Sequence, residues 1–210
     1  MNGTFMYASE IKSLLRHPDF VKELNAEALK PYMTFQYPAI GETFFKGVYK
    51  LPEGHYFTYR DGKMDIHRYY DEDFREGKQK LGELVNSIDQ TVCDSVKAHQ
   101  IADVEVGSFL SSGVDSSYVA AVARPQHTYS IGFGKGTYNE SQQAGELAEL
   151  LKLNNTAESL TDEEAFAAFP RIQWHLDEPD SNPSCVPLYF LSALAAKDVK
   201  VVLSGEGADE

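Results

Sequence analysis

Val104-Glu105-Val106-Gly107-Ser108-Phe109-Leu110-Ser111-Ser112-Gly113-Val114-Asp115-Ser116-Ser117-Tyr118-Val119-Ala120-Ala121-Val122-Ala123 is the stretch that decides the fold. Val104–Leu110 predicts a short strand running into a core, and the small apolar residues Tyr118–Ala123 predict a helix. Between them lie hydroxyls, one glycine and one carboxylate. A strand, a tight polar turn and a helix start make an anion site, because free N–H groups and the helix dipole both face the turn. No lysine follows the glycine, so this is not the phosphate loop Gly-x-x-x-x-Gly-Lys-Ser/Thr. Asp115 stands there instead. A carboxylate in a phosphate cradle makes sense if it grips a Mg²⁺ that grips the phosphate. Serines around a glycine also describe a solvated turn, but the strand before, the helix after and the acid within make that the weaker reading.

Working outward, the chain from Asp103 alternates strand and helix, the mark of a parallel α/β sheet. After a break at Arg124-Pro125, His127–Phe133 predicts a strand. Glu140–Leu153 predicts a helix with Ala144, Leu147, Ala148 and Leu151 at core spacing, and Asn155–Leu160 a third strand. Thr161-Asp162-Glu163-Glu164 is a capping box opening another helix. Asp177–Ser184 predicts a long acidic loop whose Asp177 and Glu178 read as solvated. Val186–Ala196 predicts a helix, and Val199–Leu203 a buried strand leading into Ser204-Gly205-Glu206-Gly207-Ala208-Asp209-Glu210. Ligands of open parallel sheets lie outside the carboxyl ends of the strands. Three such ends are equipped here: Leu110 onward, Ile131-Gly132 and Ser204-Gly205.

Upstream, Leu81, Leu84, Val85, Ile88, Val92 and Val96 fall on one face of a long helix, with Cys93 beside them as a small buried residue. The charged join at residues 71–78 sets a boundary, giving domains 1–75 and 76–210. The first is mixed, mostly β and rich in aromatics. Phe5–Ala8 predicts the end of a strand, Ser9 a cap for a helix over Glu10–Arg16, and Ala26–Tyr32 a second helix. Asp61-Gly62 predicts a tight turn joining His55–Arg60 to a strand over Lys63–Tyr70.

The 210 residues hold 19 Lys and Arg against 32 Asp and Glu, a net charge of −13 that argues against a nucleic-acid surface. No apolar run approaches the roughly 20 residues of a membrane span. Two distant cysteines, Cys93 and Cys185, have no metal-site spacing and point to a reducing, cytoplasmic setting.

Leu110–Ser117 closely resembles the pyrophosphatase loop Ser-Gly-Gly-x-Asp-Ser of the N-type ATP pyrophosphatases, with Ser112 where the family has its second-position glycine. Together with Tyr138-Asn139-Glu140-Ser141, Asp177-Glu178-Pro179 and Leu203–Glu210, it resembles the synthetase domain of glutamine-dependent asparagine synthetases. Tyr7–Leu15 and Gly47–His55 are similar to the last third of that family's glutaminase domain. The resemblance implies a parallel Rossmann-like sheet of the adenine nucleotide α-hydrolase type with helices on both faces, preceded by a remnant of an α+β Ntn-type glutaminase domain. It implies ATP and Mg²⁺ as cofactors, and aspartate, ATP and glutamine-derived ammonia as substrates. A homodimer is compatible with it, and neither nucleic acid nor membrane is expected.

Residue by residue, the resemblance implies that Ser111, Gly113, Ser116 and Ser117 hold the leaving pyrophosphate while Asp115 holds Mg²⁺ against it. Backbone near Phe109-Leu110 and at Ile131 would frame the adenine, with Ser204-Gly205 on the nucleotide's other side. Asp209 would be a second acid near the metal, and Glu206 would sit near the reacting carboxyl. Asp115, Glu206 and Asp209 are thus the expected catalytic residues. Glu140 equally suits an ordinary helix-start acid, and Asp209-Glu210 an ordinary charged chain end. The family's glutaminase begins with a catalytic N-terminal Cys, whereas this chain begins Met1-Asn2-Gly3, and the family continues beyond Glu210. The expectation is an internal fragment, inactive alone. Competing readings are another amide-forming ligase such as a β-lactam synthetase-like enzyme, or a non-catalytic nucleotide-binding module. A tRNA-thiolating enzyme is disfavoured by the negative charge and the absence of paired cysteines.

Overall fold

The computed structural model describes residues 3–74, 77–134 and 140–207, Glu140 by its backbone alone. Two compact units emerge: residues 1–77 with Gln173–Asn182, and residues 78–172 with 183–210.

In the first unit, β1 (His55–Arg60) and β2 (Lys63–Arg68) pair antiparallel, from His55 opposite Arg68 to Arg60 opposite Lys63. Asp61 and Gly62 both take positive φ, 52° and 74°, as a two-residue turn matched to strand twist requires. Phe5–Ala8 joins no ladder, contrary to expectation. Its side chains dock instead: the Phe5 ring stacks on Tyr59 at 4.2 Å and meets Phe57 edge-on at 5.7 Å. Helix α1 is only Ile11–Leu14, and Ser9 does not cap it. The cap is Asp177, whose carboxylate accepts from the N–H groups of Ile11 (2.7 Å) and Lys12 (3.1 Å) and pairs with the Lys12 ammonium at 2.9 Å. A 3₁₀ turn at Ala26–Ala28, capped by the Asn25 side chain, leads into α2 (Leu29–Phe35).

Glu178 corrects the solvated-loop expectation further. It is 8% exposed, accepts from the Phe44 N–H at 2.9 Å and pairs with Lys50 at 2.5 Å. Gln173 closes the segment with paired bonds to the Asp180 carbonyl and N–H. A buried carboxylate must be paired and hydrogen-bonded to persist, and Glu178 meets both conditions.

The second unit opens with α3 (Leu81–His99). Its apolar stripe is only half used. Val96 is buried, and Val92 packs beside it against Ala123 and Leu203, whereas Leu81, Val85 and Ile88 are 78%, 55% and 60% exposed. Cys93 is half-buried, its Sγ 3.9 Å from Asp89. There follow β3 (Val106–Phe109), α4 (Val114–Ala123), β4 (His127–Phe133), α5 (Glu140–Leu151), β5 (Asn154–Leu160), α6 (Asp162–Leu176), α7 (Cys185–Ala195) and β6 (Val201–Leu203). All four strands run parallel in the order β5-β4-β3-β6. On one face Phe109 and Tyr129 pack with Leu194, Ala195 and Val199, near α7. On the other, Leu110 packs with Ala120, Ala144 and Ala148 of α4 and α5. Thr161 and Glu164 form the expected reciprocal cap, their bonds 2.9 and 3.2 Å, and the Thr161 backbone and hydroxyl hold the Glu164 carboxyl below its usual range.

Burial and the neighbouring Asp198 and Glu105 push the Tyr129 phenol up to about 12. The unfolded chain releases this proton near pH 10, so it binds fewer protons than the folded form above that pH. Stability from protonated Tyr129 is therefore full below about pH 10 and lost as pH rises toward 12. Tyr118, hydrogen-bonded to Asp89, titrates in the same window. Tyr129→Phe is expected to flatten, without abolishing, the fall of the urea midpoint between pH 9 and 12; an unchanged slope would refute the assignment.

Candidate functional site

Strand order locates the site. From β3 the chain moves outward to β4 and β5, then returns to place β6 on the other side of β3. The direction of winding reverses between β3 and β6, and a crevice opens at such a reversal, outside the carboxyl ends of the strands. Two polar turns emerge there, Ser111–Gly113 after β3 and Ser204–Gly207 after β6.

The first turn is closed by its own hydroxyls. Ser111 and Ser116 Oγ atoms are 2.7 Å apart, and the Ser111 N–H donates to Ser116 Oγ at 3.1 Å. Ser111 Oγ accepts from the Gly113 N–H at 3.1 Å. The Ser116 and Ser117 hydroxyls lie 3.3 and 2.6 Å from the Gly113 carbonyl. Gly113 is the extended residue before α4, so the helix N-terminus, with its unpartnered N–H groups and positive dipole end, lies directly over this ring.

The second turn touches the first. A Cβ built on Gly205 would lie 2.4 Å from the Ser116 nitrogen and 2.6 Å from the Asp115 carbonyl carbon. Gly205 therefore lies flush against the first turn of α4. Ser204 Oγ accepts from the Glu206 N–H at 3.1 Å and shapes its own turn.

The expected residues thus fall into three groups. Ser111, Gly113, Asp115, Ser116, Ser117, Ser204, Gly205 and Glu206 gather at the ends of β3 and β6. Phe109, Leu110 and Ile131 put their side chains into the core. Leu110 has both backbone groups engaged: its N–H donates to Tyr129 at 2.8 Å and its carbonyl accepts from Ser130 Oγ at 2.7 Å. Asp209 lies outside the described residues, as do Tyr138 and Asn139 of the Tyr-Asn-Glu-Ser motif. The Ser130 contact is a residue that sequence reasoning misses; its one signal is a pair of hydroxyls, Thr128 and Ser130, on one face of a strand reading as core.

Asp115 and Glu206 are exposed carboxylates. Among the described residues no three His, Cys, Asp or Glu side chains converge as a metal cage. Mg²⁺ does not require one: it is held by one or two carboxylates, substrate phosphates and water. A solvent-facing Asp115 in the first turn of α4 fits that donor set. Among the described residues no helix is long and apolar enough to cross a membrane.

Comparison with known proteins adds sequence similarity to this geometry. The asparagine synthase family model matches residues 87–210, more than half of the chain, and a glutamine amidotransferase domain model matches residues 1–70. The chain is 38% identical to asparagine synthetase [glutamine-hydrolyzing] 1 of Bacillus subtilis over all of its own length and 34% of that protein's. It is 37% identical to a putative asparagine synthetase of Mycobacterium bovis, over 99% of this chain and 34% of the relative. The chain thus spans about a third of the length of these curated relatives. Among solved structures, an NH3-dependent NAD synthetase from Campylobacter jejuni overlaps loosely, with a TM-score of 0.39 and 18% identity over 56% of this chain and 54% of that one.

Proposed function

Because the chain belongs to the asparagine synthase family, we propose that residues 76–210 serve ATP-dependent activation of aspartate in glutamine-dependent asparagine synthesis. An oxygen of the aspartate β-carboxylate bonds to the α-phosphorus of ATP. The α–β phosphoanhydride bond breaks, and pyrophosphate leaves with the electron pair. Ammonia from glutamine then bonds to the acyl carbon and gives up one proton to water, and the acyl C–O bond breaks as AMP departs with its electron pair. Residues 1–75, which include the amidotransferase match, are read as part of the glutamine-handling domain. A cytosolic setting suits Cys93 and Cys185, which form no disulfide.

The observation that carries this reading is the contact of Gly205 with Asp115 and Ser116, which brings two strand-end turns together over one helix N-terminus. In the proposed roles, Ser111, Gly113, Ser116 and Ser117 cradle the leaving pyrophosphate. Backbone at Ile131 and around Phe109-Leu110 borders the adenine, with Ser204-Gly205 across the nucleotide. Mg²⁺, when bound at Asp115 with Asp209 as the second acid, supplies positive charge for the leaving group. Glu206, exposed in the turn after β6, is assigned the orienting of the acyl carbon for ammonia.

The test is aspartate-dependent exchange of labelled pyrophosphate into ATP. It is run on the 210-residue chain, and on the Bacillus subtilis relative with its matching third replaced by this chain. Asp115→Asn is expected to lower exchange about 10²–10³-fold, the usual cost of removing one electrostatic stabiliser of a transition state. Exchange that survives in the variant, or that requires an acid other than aspartate, would overturn the reading.

A further inference from the structure

The buried face of β4 carries two hydroxyls where large apolar side chains are usual. Thr128 and Ser130 are 0% and 2% exposed. Ser130 Oγ lies 2.7 Å from the Leu110 carbonyl oxygen and 3.1 Å from the amide atom placed as Asn155 Oδ1, an O/N assignment that the hydrogen-bond network decides. Thr128 Oγ1 lies 3.0 Å from the Asn154 carbonyl oxygen and 3.0 Å from the same atom of Asn155. Each hydroxyl has a single proton. If Asn155 faced them with its oxygen, two protons would have to serve four acceptor contacts, leaving oxygen lone pairs opposed in two of them. With the amide turned so that its NH₂ faces them, its two protons serve the two hydroxyls. Ser130 then donates to Leu110, Thr128 donates to Asn154, and every contact is a hydrogen bond. Proton counting at these four contacts favours the turned amide, the one orientation in which each is a hydrogen bond.

We propose that Ser130, oriented by the Asn155 amide, is the positioning residue of the anion loop. Its hydroxyl holds the Leu110–Ser111 peptide plane. In a planar trans peptide the C=O and N–H point in opposite directions. A Leu110 carbonyl held toward β4 therefore aims the Ser111 N–H into the loop, where it meets Ser116 Oγ at 3.1 Å. Strand pairing does not do this, because the Leu110 N–H already bonds to Tyr129 and leaves the next plane free to turn. The ligand that the loop holds is taken from the function proposed above; the aim of the N–H is independent of it.

Amide NMR of the ¹⁵N-labelled 210-residue chain, titrated with inorganic pyrophosphate and Mg²⁺, tests both. Ser130→Ala is expected to move the Ser111 amide resonance and speed its hydrogen exchange about tenfold, while the Leu110 amide stays protected. Pyrophosphate affinity should fall about fivefold, the scale of one lost hydrogen bond. Asn155→Asp offers only acceptors, draws the Ser130 proton away from Leu110, and should give the same signature at a half-buried site. Were the amide of Asn155 facing with its oxygen, this second variant would be silent. An unmoved Ser111 amide in both variants, or Leu110 and Ser111 loosening together, overturns the proposal. Absence of pyrophosphate binding by the unsubstituted chain would count against the proposed function alone, since the amide signatures still decide the positioning role.

Discussion

Gly205→Ala is expected to abolish aspartate-dependent pyrophosphate exchange. The added Cβ would come within 2.4 Å of the Ser116 nitrogen, 2.6 Å of the Asp115 carbonyl carbon and 2.8 Å of the Ser116 Cα. All three are backbone atoms in the first turn of a helix, so no rotamer relieves the clash. The turn must move, carrying the Ser116 hydroxyl away from its ring with Ser111 and Gly113 and displacing Asp115 with it. Overpacking of this kind costs about 1–3 kcal/mol, enough to lower a urea midpoint without unfolding a typical domain. Gly113 is an instructive contrast, because its Cβ would meet only the Ser111 hydroxyl, at 3.2 Å. A side-chain oxygen can swing aside, so Gly113→Ala should weaken exchange by less. Exchange and urea midpoints measured on both variants check this. Gly205→Ala keeping more than about a tenth of the exchange would refute the steric account.

Glu178→Ala is the second large effect, and it falls on stability rather than chemistry. Removing the carboxylate leaves the Phe44 N–H without its partner in a buried setting. Losing one side of a buried charged hydrogen bond costs about 3 kcal/mol. The ion pair to Lys50 adds little, since that lysine's side chain is 58% exposed and screened by water. Glu178→Gln keeps an acceptor for Phe44 and gives up only the charge, so it should retain most of the stability. Urea unfolding, with hydrogen exchange at the Phe44 amide, separates the two. Equal losses for Ala and Gln would mean that the charge, not the backbone bond, is what matters.

Local patterns are legible in the amino-acid sequence. The Asp61-Gly62 turn, the Thr161–Glu164 box and β4 at His127–Phe133 each depend on residues a few positions apart, and each forms as expected. The strand–turn–helix from β3 to α4 is legible for the same reason, as its parts are contiguous. Long-range partners are not. Asp177 and Glu178 read as solvated because the N–H groups they satisfy lie 166 and 134 residues away. The α3 stripe reads as core because periodicity reports that a face is apolar, not that something covers it. Gly205 stands out in the sequence as a site residue, but its closeness to α4 exists only in three dimensions.

The segment Gln173–Asn182 has one consequence in time. It belongs to the unit formed by the first 77 residues, yet it is made long after them. At about 5–20 residues per second, the N–H groups of Ile11 and Lys12 wait on the order of 10–30 s for Asp177 to leave the ribosome. Over that interval residues 78–172 are made before Gln173–Asn182 can join the unit that residues 1–77 belong to. A premature stop between residues 78 and 173 would leave the Ile11 and Lys12 N–H groups without this cap.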